Sequence, residues 1–172
     1  SNGIVLVPED RKKQGYIPLL SGSLNVALTD LNRVSSAGVL RAATCRNLAE
    51  TTTEPLGFSP QRLDQPVLNL SGGNQQKLVV GKWLHRRPRV LLLDEPTRGV
   101  DIGAKAELYA AIRRLADQGI AVILVSSELE EVVEQSDRIL VLAKGRIVAT
   151  LDQKTASIER ILSLIFAVEG TA

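Results

Sequence analysis

An α/β fold with a largely parallel sheet is predicted by three features of the sequence. Short apolar runs at 4–7, 90–93, 120–125 and 139–142 alternate with stretches whose apolar residues recur at helical spacing. Aromatic residues make up only 3% of the 172, so the core must be built from Leu, Val, Ile and Ala. An aliphatic, β-branched core of that kind suits strands buried on both faces. The length is enough for one domain with a sizeable core.

Each element follows in order. Ile4-Val5-Leu6-Val7, closed by Pro8, reads as a strand running into a loop. The stretch to about residue 66 is irregular, with Gly, Ser and Pro punctuating helical pieces such as 44–50. A helix is predicted after Ser71-Gly72-Gly73, with Leu78, Val79, Trp83 and Leu84 on its apolar face. His85-Arg86-Arg87 and Pro88 mark its end, as helix C-termini prefer. Val90-Leu91-Leu92-Leu93 is a strand, and Ala104, Leu108, Ala111, Ile112 and Leu115 give a helix closed by Gly119. A strand at 120–125, a helix at 128–134 and a strand at 139–142 come next. Lys144-Gly145 turns the chain into Ile147-Val148-Ala149, and an amphipathic helix spans 157–168.

A formal charge of +2, and basic runs without interleaved aromatics, argue against a nucleic-acid binder. Arg11-Lys12-Lys13 and Arg86-Arg87-Pro88-Arg89 are expected to be solvated surface. The single cysteine, Cys45, excludes an internal disulfide and fits a reducing compartment. No apolar run approaches the ~18 residues that span a bilayer. Ser1-Asn2-Gly3-Ile4 enters directly into a strand pattern, so Ser1 and Asn2 are expected to be a remnant at the cut edge of a longer chain.

Two constellations carry chemistry. In Leu70-Ser71-Gly72-Gly73-Asn74-Gln75-Gln76-Lys77 a helix begins on two glycines, where unpaired amides point outward and the backbone can approach a ligand. Ser71 adds a hydroxyl and Asn74 an amide, which together suit a phosphate; a plain helix cap is the alternative. In Val90-Leu91-Leu92-Leu93-Asp94-Glu95-Pro96-Thr97 an apolar strand delivers two acids at its carboxyl end, where open α/β sheets place ligands. Asp94 would orient water around Mg²⁺ and Glu95 would polarise the water attacking a γ-phosphate, a helix-capping turn being the alternative.

In this order the residues resemble the ATP-binding cassette family, whose signature Leu-Ser-Gly-Gly precedes a helix and the Walker-B strand. Val7-Pro8-Glu9-Asp10 matches the family's Q-loop, Gly99-Val100-Asp101 its D-loop and Val125-Ser126-Ser127-Glu128 its switch loop. Pro8-Glu9-Asp10-Arg11-Lys12, the run from Leu70 to Lys77, and Thr97-Arg98-Gly99-Val100-Asp101-Ile102-Gly103-Ala104-Lys105 look like the second cassette of the double-cassette monosaccharide importers, the ribose, xylose, galactose and arabinose group.

The resemblance implies a P-loop NTPase (RecA-like) parallel sheet, partial here, with the helical signature subdomain at about 18–85 and the α/β core at 1–10 and 86–172. It implies that Ser71, Gly72, Gly73 and Asn74 bind ATP held by a neighbouring cassette. Asp94 would serve Mg²⁺ and Glu95 catalysis, at a site of this cassette's own. Asp101 would meet the paired cassette, Ser127 would be the switch residue, and Glu9 would face the transmembrane partner. Implied partners are permease subunits, the first cassette of the same subunit or a second copy, and indirectly a periplasmic sugar-binding protein. The implied location is peripheral, on the cytoplasmic face of the bacterial inner membrane.

Three departures stand out. No Gly-x-x-x-x-Gly-Lys-Ser/Thr run occurs, so the triphosphate lacks its usual anchor within these residues. Ser127 stands where most cassettes have a histidine, and Glu9 where they have a glutamine. The cassette's own site is therefore expected to be slow or silent, and His85, the lone histidine, to be a surface or dipole-capping residue. The family's Walker-loop strand lies between the switch strand and the last strand. Without it the slot is expected to be closed by the last strand, filled by a second copy through self-association, or left disordered.

Overall fold

The computed structural model describes residues 3–169, so the expectation for Ser1 and Asn2 lies outside the described residues. Contacts divide the chain into two compact units between Ile123 and Leu124. The first runs β1 (Ile4–Val7), α1 (Gly22–Ala27), α2 (Leu31–Val34), the short strands β2 (Ser35–Ser36) and β3 (Val39–Leu40), α3 (Ala42–Thr53), α4 (Gly72–Gly81), β4 (Val90–Asp94), α5 (Ile102–Asp117) and β5 (Ala121–Val125), which crosses the division. The principal sheet has the order β1-β4-β5, and β1 pairs with β4 in parallel, Val5 opposite Leu91 and Val7 opposite Leu93.

Strand alternation then sorts the faces. Val7, Leu91 and Leu93 are at most 1% exposed, whereas Ile4 and Leu6, on the other face of β1, are 57% and 54% exposed. Ile123 of β5 is 52% exposed. The expectation of strands buried on both faces is thus corrected: the helices of this unit cover one face only. The buried side meets an aliphatic core in which Leu56, Leu63, Leu78 and Leu108 are fully enclosed.

The β2–β3 hairpin was not predicted. Its turn places Ala37 (φ 53°) and Gly38 (φ 78°) in left-handed conformations, the pair a two-residue hairpin turn requires. Alanine gives little hint of this, and strands of two residues leave no periodicity to read.

The second unit comprises α6 (Leu129–Gln135), β6 (Arg138–Ala143), β7 (Arg146–Asp152) and α7 (Ile158–Glu169). β6 and β7 form an antiparallel pair of their own, turned by Lys144 (φ 48°) and Gly145 (φ 74°). Ile139, Val141, Leu151 and Ile161 make its core, with Leu129 and Val132 packed against it. β6 pairs with β7, and β5 has β4 as its one strand neighbour among the described residues, so closure of the slot by the last strand is not found.

Candidate functional site

The tip of α4 is built by Ser71, whose extended backbone (φ −60°, ψ 156°) makes it the N-cap. Its Oγ accepts from the Asn74 amide at 3.4 Å and from Asn74 Nδ2 at 2.8 Å. Both bonds use the oxygen, so the hydroxyl hydrogen remains available to donate. Ser71 is exposed, and the amides of Gly72 and Gly73 have no acceptor among the described residues, as the first amides of a helix lack intrahelical partners. An exposed hydroxyl and two amides without acceptors therefore lie together at the positive end of a helix dipole, an arrangement suited to an anion, although Gly73 itself is buried.

The glycines also have a packing reason inside the chain. A Cβ on Gly72 would lie 2.6 Å from Gly99 O, and one on Gly73 would lie 2.5 Å from Ala104 Cβ. The tip of α4 is thus pressed against the loop 98–101 and the start of α5. Asp101 caps α5, its Oδ1 accepting from the Ala104 amide at 2.9 Å. Glu9 forms an ion pair with Arg98, which explains how an acid is accommodated where a glutamine was expected.

Past its tip, α4 is buried on all sides, and two of its polar residues, Gln75 and Lys77, have structural tasks. Gln75 Nε2 donates to Val67 O at 3.2 Å and Leu70 O at 3.0 Å, fixing the loop that leads into the helix. Lys77 Nζ lies 2.7 Å from Glu107 Oε2 and ties α4 to α5. That bond holds the Glu107 carboxyl below its ordinary range. Nothing in the sequence signals these tasks, because the partners, Val67 O, Leu70 O and Glu107, are set by packing. Arg11, expected on the solvated surface, is instead buried, with its guanidinium on the Arg98 and Gly99 carbonyls. Lys12 and Lys13 are exposed as expected.

Asp94 ends β4, half-buried, and Glu95 follows with φ 47°. A non-glycine residue in that conformation is strained, and such strain gathers at functional positions. The turn breaks strand alternation between the two acids, and Thr97, which follows in the chain, is 1% exposed. No group of three or more His, Cys, Asp or Glu side chains able to hold a metal occurs among the described residues. Mg²⁺ commonly takes one or two carboxylates, with waters and phosphate oxygens completing its shell. Asp94 fits one such place and is insufficient alone.

Ser127 belongs to the second unit, in the loop before α6. There Ser126 Oγ receives the Glu128 amide at 3.1 Å and bonds Glu131 Oε2 at 3.1 Å. His85 is not a surface residue: its side chain is 2% exposed, with Nε2 3.8 Å from Asp30 Oδ2. Neither ring nitrogen has a hydrogen-bond partner among the described residues, and burial pushes its pKa down. A three-residue helical turn, Leu84–Arg86, folds the imidazole inward, which the basic sequence around it does not signal. Nearby, Lys13, Tyr16, Ile17, Asn25, Lys82 and Trp83 line a groove of about 300 Å³.

Comparison with known proteins gives consistent results. A family model described as ABC transporter matches residues 8–98. The chain is 52% identical over 149 residues to the ribose import ATP-binding protein RbsA of Roseobacter denitrificans, covering 87% of this chain and 29% of that protein. It is 47% identical over 163 residues to the xylose import ATP-binding protein XylG of Moorella thermoacetica, covering 95% of this chain and 32% of that one. The chain thus spans about a third of the length of these relatives. Among solved structures it resembles cbiO1 of Clostridium perfringens, with TM-score 0.73 and 23% identity over 89% of this chain and 58% of that one. It also resembles the dimeric cassette MJ0796 in its ADP- and Pi-bound state, with TM-score 0.70 and 22% identity over 87% of this chain and 62% of that one. These likenesses establish the α/β cassette fold.

Proposed function

The chain belongs to the ABC transporter family, and from that premise we propose that it is the C-terminal part of the second cassette of a double-cassette sugar-import ATPase. In this reading Ser71, Gly72, Gly73 and Asn74 complete an ATP site whose triphosphate is anchored by the neighbouring cassette. The observation that carries it is the tip of α4, where an exposed hydroxyl with a hydrogen to spare adjoins two unpartnered amides. The ribose and xylose import relatives support a monosaccharide or similar small solute as cargo.

Developing negative charge on a terminal phosphate would be met by these donors, which need no reorganisation because Ser71 and Asn74 already hold each other. At this cassette's own site Mg²⁺ would supply charge neutralisation to the phosphates, and Asp94 would be the carboxylate that this chain offers it. Glu95 would accept a proton from, or orient, the attacking water at this cassette's own site. With Ser127 in place of histidine that site is the slower one, so turnover is assigned chiefly to the site that the α4 tip completes. Asp101 would meet the paired cassette with the carboxylate that also caps α5. The permease subunits, and through them a periplasmic sugar-binding protein, would be the partners, approached from the Glu9 side of the molecule. The location in this reading is the cytoplasmic face of the bacterial inner membrane.

The open face of β1 bearing Ile4 and Leu6 supports a longer protein that supplies a further layer. Sedimentation of these residues alone should then show self-association, and a stable monomer would count against that. The missing Gly-x-x-x-x-Gly-Lys-Ser/Thr run favours a second statement: these residues alone are inactive and bind ATP at millimolar affinity or not at all. A nucleotide titration tests it. The main reading is tested by Ser71→Arg in the intact subunit, where ATPase should drop sharply; unchanged turnover would sink the assignment.

A further inference from the structure

Arg11 is a buried cation with no part in the reading above. The residue is 8% exposed, and its guanidinium meets uncharged oxygens. Nη1 donates to Arg98 O, Nη2 to Gly99 O at 3.1 Å, and Nε to Gln75 Oε1 at 3.4 Å. No ion pair of Arg11 with a carboxylate occurs among the described residues. One side chain therefore joins the turn Arg11–Gly15, the loop 98–101 and the first turn of α4.

The charge is the telling part. Burying a cation without a counter-ion is costly, and a neutral donor could bridge two carbonyls more cheaply. The position adds to the cost, because a Cβ on Gly72 would lie 3.0 Å from Arg11 Nη2. The cation thus sits beside the N-terminus of α4, where the helix dipole is already positive and disfavours a like charge. An anion at the tip relieves both. The same guanidinium holds the Gly99 carbonyl in place, and that carbonyl is the atom against which Gly72 packs.

We propose that Arg11 is a positioning residue for the composite nucleotide site, locking the loop 98–101 onto the tip of α4 so that both meet the neighbouring cassette as one rigid element. This rests on the functional reading given above. Arg11→Met removes the charge and the fork; Arg11→Lys keeps the charge but cannot reach both carbonyls at once.

The test uses the intact subunit carrying Arg11→Met, Arg11→Lys or Ser71→Arg, with ATPase kinetics and amide hydrogen exchange measured on each. In Arg11→Met, exchange should rise together in 71–75 and 98–101, while kcat falls about tenfold or more, as small misplacements of a site can cause. KM for ATP should change by less than about threefold, because the triphosphate is anchored elsewhere. Arg11→Lys should recover part of kcat, and it decides the matter should Arg11→Met fail to fold. Unchanged exchange, a rise in only one of the two segments, or a loss in KM alone would overturn the proposal. If Ser71→Arg keeps full turnover, the underlying reading fails, while the exchange data still judge the brace. If Ser71→Arg abolishes turnover and the Arg11 variants keep theirs, only the role of Arg11 is lost.

Discussion

Replacing Gly73 by alanine separates packing from ligand approach at the signature helix. The new Cβ would lie 2.5 Å from Ala104 Cβ, whereas ordinary contact begins at 3.4 Å. Both methyls are fixed to helical backbone and cannot rotate away, so α4 and α5 must part by roughly 1 Å. Overpacking of this kind costs about 1–3 kcal/mol. Alanine gains about 0.5–1 kcal/mol over glycine within a helix, which leaves a net loss of up to about 2.5 kcal/mol. Ala104→Gly alone should cost about 1 kcal/mol in helix propensity. The double variant moves the methyl from one helix to the other and removes the clash, so its stability should return close to the parent. Urea unfolding reads this as a shift in midpoint at constant m, and the double-mutant cycle should give a coupling of about 1–3 kcal/mol. Additive effects would refute the packing argument. Should the double variant be stable yet inactive in the intact subunit, Gly73 has a ligand task beyond its packing.

Other consequences follow from single residues. His85 has a pKa lowered by burial, so the folded state binds its proton less readily than the unfolded chain. Its contribution is complete above about pH 6.5 and is lost as pH falls below that value; His85→Leu should flatten the stability profile there, and an unchanged slope would contradict this. Glu107 is held low by Lys77, so its contribution is present above about pH 4.3 and fades as pH falls further; Lys77→Met should abolish that acid-limb dependence in a denaturation series. Leu93→Ala, at a side chain 1% exposed, should cost about 2–5 kcal/mol by urea unfolding.

Much of the fold was legible because its signals are local. The apolar runs became β1, β4, β5 and β6, and the helical spacing of Ala104, Leu108, Ala111 and Leu115 became α5. What escaped depends on partners distant in sequence. His85 and Arg11 sit in polar surroundings along the chain, and only tertiary packing turns them inward. The second face of the sheet, read as buried from the aliphatic composition of its strands, is open because composition does not say which layers are supplied. At the site, Ser71 as N-cap was legible from the cap-plus-glycine pattern. The steric reason for Gly72 and Gly73 was not, since Gly99 O and Ala104 Cβ come from residues well downstream.

The most direct measurement is the separation between Ser71 Oγ and the terminal phosphate in a nucleotide-bound structure of the intact subunit. Hydrogen-bond distance, about 2.5–3.0 Å, is expected, with the Gly72 and Gly73 amides turned to the same oxygen. A triphosphate lying out of reach of α4 would contradict the account.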